Sequence, residues 1–153
     1  MLRIQCLVLK ADLQVNGRYM KMQNALIGTT VFNDDSMTIS SISKELFGSY
    51  LFQLSWNDDS NSSISIFCDK DCVVIVALWD HGNRQDNLIS LLQQESWMLK
   101  KEQHIKWIKN GGYGVTKNVL SQSVKANNSL SFSKPENDLP LSVFVFQGKK
   151  LLS

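Results

Sequence analysis

Apolar and polar residues alternate with a period of two along much of the chain. Such alternation puts every second side chain on one face of an extended strand, so one face meets a core and the other meets water. Leu2, Ile4, Cys6 and Val8 share one side of the opening segment, which predicts a first strand. "VNGRY" carries Asn16-Gly17, a pair suited to the positive φ angles of a tight hairpin turn. The segments "MKMQ" and "ALIGTTVF" predict that this hairpin leads into a further strand ending at "NDDS". "SMTISSI" and "GSYLFQLSW" alternate again, the second with Tyr50, Phe52, Leu54 and Trp56 on one face. "SSISIF" and "CVVIVALW" flank "CDKD", a connection of hairpin length. The second of these runs is apolar on both faces, the mark of a central strand.

At "RQDNLISLLQQESW" the period changes. Asp86 or Asn87 can cap a helix, and Leu88, Leu91 and Leu92 share a helical face, so a short helix is expected near 86–94. "WMLKKEQHIKWIK" fits strand spacing, "NGGYG" a loop, "VTKNVLSQSV" a strand and "KANNS" a turn. "SLSFS" and "LSVFVFQG" complete the pattern around "KPENDLP", whose two prolines mark an irregular loop. About ten short strands separated by turn residues indicate an all-β fold, an antiparallel β-sandwich of jelly-roll type with one helix.

Composition narrows the picture further. With 153 residues, 43% apolar and 20% charged, the chain has enough apolar surface for one sizeable core, so residues 1–153 are expected to form a single domain. Sixteen basic against fourteen acidic residues leave a formal charge of +2, which gives no general attraction to nucleic acid or anionic lipid. The longest apolar run, residues 72–79, is far shorter than the roughly 20 residues a transmembrane helix requires. The opening residues lack the long apolar core of a signal peptide. Three cysteines, Cys6, Cys68 and Cys72, form no zinc-type spacing. They read as buried thiols, with a Cys68–Cys72 disulfide as the alternative in an oxidising compartment.

Candidate chemistry gathers at the two turns around the apolar run. Asp58 and Asp59 lie in one, and Trp79, Asp80 and His81 in the other. An aromatic face beside a carboxylate and an imidazole is what a sugar site uses, the ring stacking on C–H faces while the polar groups take hydroxyls. Asp58, Asp59 and Asp80 also offer hard oxygens to Ca²⁺, the one cofactor the chain invites. Turn formation explains the same residues, since Asp and Asn side chains mimic backbone turns and Trp79 can simply close the core strand, and that explanation takes precedence for the calcium and the sugar site alike. No nucleophile elbow, HExxH or paired-carboxylate motif is present, so His81 and His104 have no catalytic setting. "GGYGVTK" lacks the ending of a phosphate loop. Lys100, Lys101, Lys106 and Lys109 with Trp97 and Trp107 read as a solvated strand face rather than a nucleic-acid surface. Asn61 and Asn127 begin acceptor triplets for glycosylation if the chain is secreted.

The run "LFGSYLFQLSWNDDSNSSISIFCDKDCVVIVALWD", followed by "LISLLQQESW", resembles β-sandwich accessory modules of bacterial secreted carbohydrate-active or adhesin-like proteins. The shared features, within residues 46–97, are a strand opened by Gly48, an Asn-Asp-Asp turn, a "V-x-V-A" strand and a short helix. The proline and Trp-Leu pair of that pattern, and its Gly-Gly-Asn end, are missing here. The resemblance implies an extracellular, non-catalytic binding or accessory module, with carbohydrate as ligand, and transfers no catalytic residue. The alternative is a structural or protein–protein interaction subunit of a larger assembly, since four Trp and seven Phe can supply both a core and an interface.

Overall fold

A computed structural model describes residues 9–54, 62–78, 85–100, 102–110, 112–116, 118–134 and 141–147. In chain order its elements are β1 (Ala11–Val15), β2 (Arg18–Tyr19), β3 (Met22–Asn24), β4 (Thr38–Ile42), β5 (Tyr50–Phe52), β6 (Ser62–Cys68) and β7 (Cys72–Leu78). Helix α1 (Gln85–Gln94) follows, then β8 (Met98–Leu99), β9 (Ile105–Lys109), β10 (Gly112–Thr116), β11 (Asn118–Val124), β12 (Ser129–Lys134) and β13 (Leu141–Gln147). All strand pairs are antiparallel, and they make three sheets, ordered β12-β6-β1-β2, β3-β5-β13-β7-β11-β8 and β10-β9-β4. The expected β-sandwich is therefore present, and the helix lies where the leucine spacing put it.

The six-stranded sheet is covered on both faces, which explains the doubly apolar β7. Val74, Val76 and Leu78 pack in one cluster with Leu13, Ile64 and Ile66 of the four-stranded sheet, and with Leu88, Leu92 and Trp97 beside α1. Their neighbours Ile75 and Ala77 point the other way, into a cluster with Ile39 and Ile105 of the three-stranded sheet and with Ala25, Val31, Phe32 and Leu46 from the loops. Each buried Val, Leu, Ile or Phe among them contributes roughly 1.5–3 kcal/mol by leaving water. A two-layer sandwich would leave one of these faces wet; here a third layer covers it.

Three local expectations change. Strands β6 and β7 do not pair with each other: β6 lies between β1 and β12, and β7 between β11 and β13. Link 69–71 is thus an arch between sheets rather than a hairpin. The reason is that β6 has one core face, with Phe67 exposed on the other, whereas β7 needs cover on two. The segment "ALIGTTVF" makes two isolated bridges instead of a strand, because Gly28 at φ 90° and a Thr29 hydroxyl that binds the Leu26 amide and the Asn24 carbonyl turn the chain there. "NGGYG", expected as a loop, enters β10, with Lys109 paired to Gly112 around Asn110 at φ 45°.

The Asn16-Gly17 turn behaves as its residues require. Asn16 and Gly17 take φ 51° and 80° between the paired β1 and β2, the hairpin geometry an Asn-Gly pair favours. Asn16 also binds the next strand, accepting from the Ser63 amide at 2.8 Å and donating its own amide to the Ser63 carbonyl at 2.8 Å. Helix α1 stops at Ser96, which holds φ 73° while Trp97 N–H donates to the Leu92 carbonyl. The first predicted strand and Trp56 lie outside the described residues.

Candidate functional site

The two ends of the sandwich differ in character. At one end, Asp69 and Asp71 of the arch hold neighbouring loops by their backbones. Asp69 Oδ1 accepts from the Lys10 amide at 2.8 Å, and Asp71 Oδ1 accepts from the Ala126 amide at 2.9 Å. The Asn127 amide donates to the Cys68 carbonyl at 2.8 Å, joining the turn at 125–128 to the arch. These carboxylates thus serve the fold as turn acceptors. Asn127 itself is exposed, at φ 63°.

The bond from the Lys10 amide, helped by the Lys70 ammonium at 3.2 Å, holds the Asp69 carboxyl below the usual carboxylate range despite some desolvation. Its pKa is lower folded than unfolded, so the contact stabilises fully above the unfolded value, about 3.9, and is lost as pH falls through the lower folded one. Asp69→Ala is therefore expected to reduce stability at neutral pH. The gap from the parent protein should close in strong acid, as denaturant titrations at several pH values would show.

Cys68 and Cys72 face each other at the base of the arch, both buried and free, with their sulfurs adjacent.

At the other end the chain enters β6 at Ser62 and leaves β7 at Leu78. Both strands are seven residues long and meet at the short arch, so Ser62 and Leu78 lie at the same end of the sandwich. Asn118 and Leu141 pair with Leu78 there, and the Thr116 hydroxyl donates to its carbonyl. Asp58, Asp59, Asn61, Trp79, Asp80 and His81 lie outside the described residues, next in sequence to these strand ends.

A cavity of about 380 Å³ lies on the central sheet's face toward the third sheet, near the arch end. Strand register builds its floor: Ser121 pairs with Ile75 and Met98, and Val73 pairs with Ser123 and Phe146, so all six share one face. Glu45, Ser96, Lys100, Gln103 and Gln122, whose Oε1 is also buried without a partner, complete the lining. The Gln103 side chain is only 3% exposed; its Nε2 donates to Glu45 Oε2, and its Oε1 is buried without a partner. A floor of apolar side chains and two serines, with an unpaired acceptor in the wall, is chemistry for a ligand with a C–H face and hydroxyls. No sequence pattern singled out Gln103 or Glu45.

Other candidates resolve into structure. The Ser43 hydroxyl accepts from the His104 amide at 2.8 Å and donates to its carbonyl at 3.1 Å, so the backbone of His104 is part of a clamp between the end of β4 and the start of β9. Trp97 is buried edge-on against Phe132 at 5.5 Å, whereas Trp107 packs on the opposite side of the central sheet. The two do not form one stacking surface with the lysines. Lys109 pairs with Asp35 at 2.7 Å, whose other oxygen accepts from the Met37 amide. Among the described residues, no group of three or more His, Cys, Asp or Glu is placed to hold a metal, and no helix is long and apolar enough to cross a membrane.

No protein-family model matches the chain, and no curated protein matches it. Among solved structures it is similar to a GH138 enzyme targeting pectin rhamnogalacturonan II, with a TM-score of 0.62 and 16% identity. The likeness covers 92% of this chain but 16% of the enzyme's, so the chain spans less than a fifth of that protein. At this identity the shared property is the all-β fold.

Proposed function

We propose that the chain is a non-catalytic, carbohydrate-related binding or accessory module. The supporting observation is that nearly the whole chain is matched by a small part of a carbohydrate-active enzyme, as a unit serving a larger enzyme would be. Its loop-end site is Trp79 with Asp80 and His81, together with Asp58 and Asp59, next to strand ends Ser62 and Leu78 that share one end of the sandwich. In this reading Trp79 stacks on a sugar face and the carboxylates and imidazole bind its hydroxyls. Ca²⁺ is an optional tie between the acidic turns.

A pectin-derived glycan array tests the reading. Binding is expected, with a loss of about tenfold or more in Trp79→Ala, the scale of one aromatic contact removed from a small site. An array on which the parent protein binds nothing, together with a melting temperature unmoved by calcium or chelator, would remove it.

The second reading, a subunit of a larger assembly, is favoured by the outward face of the β9–β10 hairpin. Tyr113 is 86% exposed beside its exposed cross-strand partner Ile108, with Val115 further along. Under this reading sedimentation velocity shows association that Tyr113→Ser abolishes. A monomer at every concentration counts against it.

A further inference from the structure

We propose that the cavity over Val73, Ile75 and Phe146 is a glycan seat separate from the loop-end residues, taking one pyranose ring by its C–H face and hydroxyls; the proposal rests on the carbohydrate reading above. Three observations carry it. The floor is fixed by register, with Val73 paired to Phe146 and Ser123, and sets apolar side chains beside two serines, so a sugar's C–H face would meet Phe146 and Met98 without rearrangement of the sheet. The wall holds a buried acceptor, Gln103 Oε1, that has no partner. Its orientation is set, because the other end of the same amide donates to Glu45, so the unpaired atom is the oxygen. Leaving a buried acceptor unpaired is costly in a folded protein, and a ligand O–H removes that cost.

The remaining groups fix the ligand's class. Glu45 presents a carboxylate already engaged by Gln103, and Lys100 brings the opposite charge to the same cavity. A wall that holds both signs suits a largely neutral, polyhydroxylated ligand better than a strongly charged one. The serine hydroxyls of Ser96, Ser121 and Ser123 can donate or accept, as a ring with several hydroxyls requires. The seat lies near the arch end, whereas Ser62 and Leu78 adjoin the loop-end residues at the opposite end, so the two can be tested apart.

The test uses the full chain with ¹³C-methyl methionine, titrated with a neutral pyranose oligosaccharide released from pectin side chains. The Met98 methyl should shift while that of Met22, on the distant edge strand β3, stays still. Gln103→Leu should weaken binding about tenfold, the effect of one lost hydrogen bond to a buried partner. Because Gln103 is buried and its loss can disturb the fold, Ser123→Phe is the second variant: its exposed strand position lets a ring fill the cavity from the rim. It should abolish the Met98 shift with no change in melting temperature. If the parent protein binds the oligosaccharide while Met98 stays still and Ser123→Phe binds equally well, the seat is overturned and the module reading stands. If the parent binds no pectin oligosaccharide at all, both are overturned.

Discussion

Phe144→Ala is expected to lower the midpoint of urea unfolding by on the order of 2 M, the largest stability loss of any single truncation considered for this chain. Phe144 is fully buried, on the central sheet's face toward the third layer, between Ile75 of β7 and Leu51 of β5. It packs in one cluster with Phe32, Ile39 and Ile105. Truncation removes a whole ring from between three sets of neighbours. Strand β13 is hydrogen-bonded on both sides and cannot shift inward to fill the space. Phenylalanine truncations in such settings cost roughly 3–5 kcal/mol, a large share of the 5–15 kcal/mol that typically holds a domain folded. Phe67→Ser, on the exposed face of β6, is the matched control and should change little. A Phe144→Ala midpoint within a few tenths of molar of the parent would mean that the third sheet does not cover this face.

Gly114→Ala is expected to cost about 1–3 kcal/mol, large for the addition of one methyl group. Gly114 lies opposite Trp107 across the β9–β10 pair, and the indole lies over it. A Cβ at this position would sit 2.6 Å from Trp107 Cε2 and closer still to Cζ2. The ring must therefore turn away, and it cannot do so freely because it also packs on the cluster beneath the third sheet. Tryptophan emission should shift with the loss of stability. A double-mutant cycle separates this clash from any intrinsic preference for glycine: with Trp107→Ala in the background, the penalty of Gly114→Ala should largely disappear. A penalty of the same size in both backgrounds would place the cause in the backbone instead.

Much of the fold was legible because the chain's punctuation is chemically explicit. Asn16-Gly17 demanded a two-residue turn, the leucines at 88, 91 and 92 demanded a helix, and β7 declared itself buried on two sides. What β7 did not declare was which strands cover those sides. A short link such as 69–71 has the same composition whether it turns back within one sheet or crosses to another. The choice depends on whether β6 is apolar on one face or two, a property of the pair rather than of the turn. The segment around Gly28 failed as a strand because β-branched residues record only a preference for extended backbone. One glycine at φ 90° with a threonine bonded locally outweighed it.

The cavity was illegible for a different reason. Glu45 lies in "SKELF", between two expected strands, and Gln103 in "KEQHI", inside a segment expected as strand that the structure leaves between β8 and β9, and nothing in their spacing brings them together. Only the path of the chain over the third sheet makes them neighbours. The one trace was in "LSQSV", where Ser121 and Ser123 occupy the same face of a strand whose neighbour β7, and β13 beyond it, are apolar there. Two hydroxyls on a core-facing row are a sign that the row is not fully covered by side chains.

The position of β13 also has a consequence for synthesis. It is the last described strand, yet it sits in the interior of its sheet, with β5 on one side and β7 on the other. Until residues 141–147 have left the ribosome, two strongly apolar strands carry unpaired edges that can bind each other out of register or bind another nascent chain. Folding of the central sheet must therefore be completed late, by insertion rather than by extension. A chaperone bound to those edges during that interval would protect the chain, whereas slower translation would lengthen the exposure.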